Sequence, residues 1–335
     1  MSTRVLAPLL AATVVLAAGC GGGSPALVGA GSSLVAPLVA KWSSDYGHRK
    51  GVAVTYGAIG SGGGISQITA RSVDFGATDA PLTPDEADAC NGCLHVPWAL
   101  TATLVSYHVK GVPNRLKLSG PVLARIFLGE IKHWNDPAIA RLNPGVKLPD
   151  TTVMPVFRSD GSGDTYAFTD FLSKVSPAWK AGPGVAAQVA FPTGAGGKGN
   201  NGVAAAMSRS NGAIGYLALS YVLSNHLDYA LVRNAAGKFP VPGLPSISAA
   251  AKAVTTIAAD NVVSITNPPA SAPGAYPIST YSYAIVPKSS SAASTLRPFL
   301  TYAITDGQRF GEPLQFAPLP SQVVDAGRRT IAEIK

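Results

Sequence analysis

Apolar residues along this chain recur with two periods, and the switching between them outlines alternating helices and strands. Leu34, Val35, Leu38, Val39, Trp42 and Tyr46 share one face at helical spacing. Pro37 falls in the first turn of that helix, where a missing N–H costs nothing. Val52, Val54 and Tyr56 alternate as a strand. Ile65 and Ile68 mark a short helix ending near Arg71, and residues 73–81 read as a short strand closing in a turn. The pattern predicts a strand over 103–108 and a helix over 122–127, the latter opened by Ser119 and Pro121. Val153, Met154, Val156 and Phe157 form a strand ahead of a helix carrying Phe168, Phe171 and Leu172. Residues 213–217 read as a buried strand, 278–286 as a partly alternating one, and 296–304 as a helix. The Pro-, Ala- and Ser-rich stretch 267–277 is a crossing or surface loop. No internal repeat appears. Strands alternating with helices predict an α/β fold with mixed sheets, and 335 residues suffice for two domains.

The first apolar run has a different meaning. Arg4 precedes an apolar stretch over 5–18 that ends in small residues, the form of a secretory signal and too short for a membrane span. Leu16-Ala17-Ala18-Gly19-Cys20 resembles the bacterial lipoprotein signal, with leucine one place earlier than usual. The expectation is a signal peptide over 1–19, Cys20 as the lipidated N-terminus, and a flexible Gly-rich tether over 20–27. Cleavage elsewhere, discarding Cys20, is the alternative. Setting Cys20 aside leaves Cys90-Asn91-Gly92-Cys93. In an oxidising compartment this pair closes a small disulfide loop, serves redox chemistry, or forms half a zinc site. With no second pair and no thioredoxin-like context, a structural bridge is favoured.

Composition narrows the function classes. Charged residues are 13% of the chain and net charge is +8, yet the basic residues are dispersed without a dense block interleaved with aromatics. That argues against nucleic-acid binding and suits a protein that attracts a small anion. Gly194-Ala195-Gly196-Gly197-Lys198-Gly199 matches a dinucleotide fingerprint only formally, and fails as a P-loop because Gly199 follows the lysine. No serine sits in a nucleophile elbow. The five histidines (His48, His95, His108, His133, His226) are scattered, reading as surface or capping residues and predicting no metal site. Asp74 reads as a structural strand-end residue. No cofactor and no catalysis are expected.

Three stretches share one chemistry. Each of Gly29-Ala30-Gly31-Ser32-Ser33-Leu34, Gly60-Ser61-Gly62-Gly63-Gly64 and Arg158-Ser159-Asp160-Gly161-Ser162-Gly163-Asp164 lies between a strand and a helix start. Helix starts carry unpaired N–H groups and the positive end of the dipole, which seat anions; they are equally the ordinary place for Ser, Gly and Asp caps. Ser162 adds a hydroxyl, Gly163 permits close backbone approach, and Arg158 offers a planar fork for an oxyanion. Asp79, at the carboxyl end of its strand, and Asp164 are carboxylates that make sense beside an anion only if it carries a proton to donate. Convergence of the three would therefore select phosphate over sulfate, each charge-assisted bond contributing roughly 1.5–3 kcal/mol.

These segments, in this order, resemble the periplasmic phosphate-binding proteins of the Pst ABC transporter. Val73-Asp74-Phe75-Gly76-Ala77-Thr78-Asp79-Ala80-Pro81-Leu82, Leu128-Gly129-Glu130-Ile131-Lys132-His133-Trp134-Asn135, Gly196-Gly197-Lys198-Gly199-Asn200 and Gly212-Ala213-Ile214-Gly215-Tyr216 extend the resemblance over nearly all of the chain after the signal. It implies an α/β, two-lobed periplasmic-binding-protein (type 2) fold with hinge strands and the ligand in the interlobe cleft. Lobe I is expected at 24–106 plus 280–335 and lobe II at 107–279. Carried onto matching positions, the phosphate contacts would be Ser33, the backbone of Leu34, Ser61, Asp79 as proton acceptor, and Arg158, Ser162 and Gly163. The better-known pattern has an aromatic at Leu34 and threonine at Asp164. Asp164 is therefore a second proton acceptor or a helix-start cap, and contact is the expectation. The implied partners are inorganic phosphate and a membrane permease with its ATPase, the receptor being a monomer held on the outer face of the cell membrane through Cys20. The alternatives are an exported phosphatase of the related phosphate-binding group and a receptor for another oxyanion.

Overall fold

The structure, a computed structural model, describes residues 25–254 and 256–335. The expected signal peptide and the lipidated Cys20 lie outside the described residues.

One long strand, Cys93–His108, is shared by two half-sheets. Its first part pairs antiparallel with Ser279–Pro287. Beyond that lie Phe75–Thr78, Ala26–Gly31 and Ala53–Ala58, the last three mutually parallel. Its second part pairs antiparallel with Ala213–Ala218, followed by the parallel strands Met154–Arg158 and Ala195–Gly197. The change of partner falls between Ala102 and Thr103, ahead of the expected boundary at 106. Alternation reveals only the second part of this strand because residues 95–107 are buried without interruption, and a strand covered on both faces has no polar side to alternate.

Each half carries its own aromatic core. Trp42 packs on Trp98 (centroids 5.3 Å apart), and Phe75 on Trp98 and Phe299. In the other half Phe168 stacks on Tyr216 at 4.5 Å and meets Phe127 at 4.8 Å. Buried indoles need an acceptor, and these have one: Trp42 donates to the Gly307 carbonyl, Trp134 to Gly212 and Trp179 to Gly184, all at 2.8–2.9 Å. Two cores joined by a shared strand make two α/β lobes.

Several expectations need correction. Ala26 pairs with Ala53 and Leu27 is fully buried, so residues 26 and 27 belong to the first strand and not to a tether. His95 is buried, not a surface residue; its Nε2 accepts the Leu82 N–H at 3.2 Å, and burial lowers its pKa. The helix Pro84–Ala89, with a capping box between Thr83 and Glu86, and the C-terminal helix Ser321–Ala332 add to the elements the pattern predicts. Cys90 and Cys93 are bridged, with Arg71 beside both sulfurs. Asp74 is structural as expected, its carboxylate accepting the Val28 N–H at 2.7 Å.

Candidate functional site between the lobes

Parallel strands bring their carboxyl ends to one edge, and each hands the chain to a helix start there. Ala26–Gly31 leads to the helix Ala36–Lys50, Ala53–Ala58 to Ser61–Thr69, and Met154–Arg158 to Gly163–Val175. A fourth unit, Ala195–Gly197 leading to Gly199–Arg209, carries Asn200. The first two belong to one lobe and the last two to the other, so four helix starts face a single cleft.

They meet. Ser61 Oγ accepts the Gly163 N–H across the cleft at 3.1 Å, and Gly62 donates to the Gly161 carbonyl at 3.0 Å. Asn200 donates to Ser33 Oγ from its side chain at 3.0 Å and from its backbone at 3.3 Å. Ser162 caps its helix by accepting the Asp164 and Thr165 N–H groups, leaving its hydroxyl proton to donate. The approach depends on glycine. A Cβ on Gly163 would lie 2.3 Å from Asp79 Cβ, and one on Gly60, whose φ is +90°, would lie 2.3 Å from Asp160 Oδ2.

Charge at this point is buried and paired. Arg158, 3% exposed, holds Asp160 with two bonds (Nε to Oδ1 at 2.8 Å, Nη2 to Oδ2 at 2.6 Å) and Asp164 with one at 3.2 Å. Asp160 lies in the third glycine segment but is not among the expected ligand contacts; despite partial burial, Arg158 keeps its pKa low. Asp164 is fully buried and accepts from Thr103, Asn200 and Arg158, so three donors already hold its carboxylate. Burial raises its pKa against the pull of Arg158.

Asp79 differs. Its Oδ2 accepts from Ser32 Oγ at 2.5 Å, while its Oδ1 is buried with no hydrogen-bond partner. Burial first, and the Asp164 charge second, push its pKa up to about 7. A carboxyl poised to hold or share one proton, with one oxygen still unpartnered, fits a protonated oxyanion. The residues sequence reasoning missed are Ser32, Asp160, Asn200 and Thr103. Ser32 and Asp160 lie inside the glycine segments, and Asn200 directly follows the Gly-Lys-Gly run. Nothing local marks Thr103.

Two α/β lobes on a shared strand, with facing helix starts around the buried carboxyl of Asp79, define a substrate-binding protein of the periplasmic type. Residues 17–307 match the family described as PBP superfamily domain. The phosphate-binding protein PstS of Xylella fastidiosa (strain Temecula1) is 41% identical over 301 residues, covering 88% of this chain and 82% of that one. The PstS of Pasteurella multocida is 41% identical over 303 residues, covering 89% and 87%. The chain belongs to the PstS family of phosphate-binding proteins. Its fold is also that of a high-affinity periplasmic phosphate-binding protein solved with phosphate bound (TM-score 0.74, 20% identity, 90% of this chain and 93% of that). A phosphate-binding protein from Stenotrophomonas maltophilia has the same fold (TM-score 0.72, 21% identity, 91% and 94%).

Proposed function

We propose that this protein captures inorganic phosphate between its lobes and delivers it to the membrane permease of an ABC transporter. The unpartnered, buried Oδ1 of Asp79, amid hydroxyl and N–H donors, carries this reading. In it the phosphate oxygens take bonds from Ser33, the Leu34 N–H, Ser61, Arg158, Ser162 and the Gly163 N–H, and Asp79 accepts the remaining proton. Asp164 acts as a second acceptor through the lone-pair capacity its three donors leave. The bonds now joining Ser61 to Gly163 and Asn200 to Ser33 exchange for bonds to the ligand.

Arg158 already faces two carboxylates, so the anion gains little net charge attraction. Dipoles and hydrogen bonds hold it instead, each bond of the charge-assisted kind contributing roughly 1.5–3 kcal/mol. We take the lobes as the expected 24–106 plus 280–335 and 107–279, with the bend a few residues ahead of that boundary, between Ala102 and Thr103 where the long strand changes partner, and where 267–277 crosses back. We further propose an exported monomer, acylated at Cys20 and held on the outer face of the cell membrane. Among the described residues no helix is long and apolar enough to cross a membrane. The role is binding without catalysis.

The test is calorimetric titration of phosphate-stripped protein with phosphate and with sulfate. One-to-one phosphate binding with sulfate silent is expected. Equal heats for both would defeat the proton-acceptor reading, and turnover of p-nitrophenyl phosphate would put a phosphatase in its place.

A further inference from the structure

A groove of about 670 Å³ lies on the first lobe, at the far end of the helix Ala36–Lys50 from the cleft. Fifteen residues of helix put about 22 Å between the two places. The groove is walled by the last turn of that helix, the helix Ala293–Ile304 and the C-terminal helix Ser321–Ala332. Arg49, Lys50, Arg297 and Arg328 line it, against the single carboxylate of Asp306. Arg49 is shared between Asp45 (3.5 Å) and Asp306 (3.6 Å). Among the described residues, Lys50, Arg297 and Arg328 have no carboxylate within ion-pair distance. Buried Tyr46 and Tyr302 give the groove an apolar floor. Unpaired cations around an apolar floor offer an anionic amphiphile both of its contacts.

The start of the described chain lies at this end of the lobe. The Pro25 carbonyl accepts the N–H of Ala53 at 3.0 Å, and Ala53 is three residues beyond Lys50. From Pro25 back to Cys20, fully extended chain reaches about 18 Å at most. An acyl group on Cys20 would therefore be moored near the groove.

We propose that this groove docks on the anionic headgroups of the membrane that carries the anchor, with Lys50, Arg297 and Arg328 bonding lipid phosphates. The proposal rests on the anchoring read above. It gives the first lobe a preferred seat on the bilayer beside the anchor.

The experiment uses the full chain with its own acyl group, mixed with phosphatidylcholine vesicles with or without phosphatidylglycerol. Flotation and amide hydrogen exchange are read for each. Flotation with both compositions, with slowed exchange over 46–52 and 292–298 only on anionic vesicles, is expected. The triple variant Lys50→Glu, Arg297→Glu, Arg328→Glu should lose that protection while titrating phosphate normally. Each cation near an anionic surface shifts the docking equilibrium about fivefold. Identical exchange on neutral and anionic vesicles overturns the docking while flotation with neutral vesicles keeps the anchor. No flotation with neutral vesicles overturns the anchor, and docking is then read from flotation with anionic vesicles, which the triple variant must abolish. No flotation with either overturns both.

Discussion

Asp79→Asn should strengthen the ligand-free fold and weaken the ligand complex, two effects of opposite sign from one atom. In the folded chain Asp79 is 2% exposed, beside Asp164, with its pKa raised from 3.8 to about 7. A raised acid keeps its proton in the folded state at pH values where the unfolded chain has lost it. Folding stability therefore falls as pH rises from about 4 to about 7, and the whole penalty is present above that window. The gap corresponds to roughly 4 kcal/mol. The amide is neutral throughout and its oxygen still accepts from Ser32, so the variant escapes the penalty. Its advantage should be near zero at pH 4 and grow through neutrality. Binding moves the other way, because an amide N–H facing the phosphate proton replaces an acceptor with a donor. A lost charge-assisted bond of about 1.5–3 kcal/mol weakens affinity on the order of tenfold to a hundredfold. Denaturant unfolding of phosphate-stripped protein at several pH values, paired with calorimetry, reads both. A pH-independent stability difference would refute the buried-proton argument, and unchanged affinity would remove Asp79 from the ligand.

Three further outcomes follow from the same geometry. Arg158→Ala should abolish tight phosphate binding and destabilise the fold by about 3–5 kcal/mol, because Asp160 and Asp164 are left without their cation; near-normal affinity by calorimetry would take Arg158 out of the site. Gly163→Ala should fold but fail to close, since its Cβ would fall 2.7 Å from the Asp79 Cα. Small-angle scattering with phosphate should then show a larger radius of gyration than the parent, and an identical radius would mean the cleft has slack. Asp164→Thr should shift the pH dependence of affinity, and an unchanged profile would confine Asp164 to holding Thr103, Arg158 and Asn200.

Much of this protein was legible in the chain itself. Periodicity outlined the helix stripe from Leu34 to Tyr46 and the strands before each glycine segment, because both depend on local burial of one face. Ser-Gly helix starts declared an anion chemistry, because unpaired N–H groups are a property of any helix start. The long strand Cys93–His108 was half hidden, since burial on both faces removes the polar alternation that announces a strand. What no local pattern could decide was distance. Ser61 and Gly163 are 102 residues apart, and Ser33 and Asn200 are 167 apart, yet each pair shares a hydrogen bond. Only the packing of two lobes on one shared strand brings them together. The same packing separates the two aspartates that the sequence offered as candidate acceptors. Thr103, Arg158 and Asn200 occupy Asp164, whereas Asp79 keeps one oxygen free in a buried place. The chain determined which chemistry was available, and the tertiary structure decided where it meets, because burial and partner count depend on every element around a group and not on its neighbours in sequence.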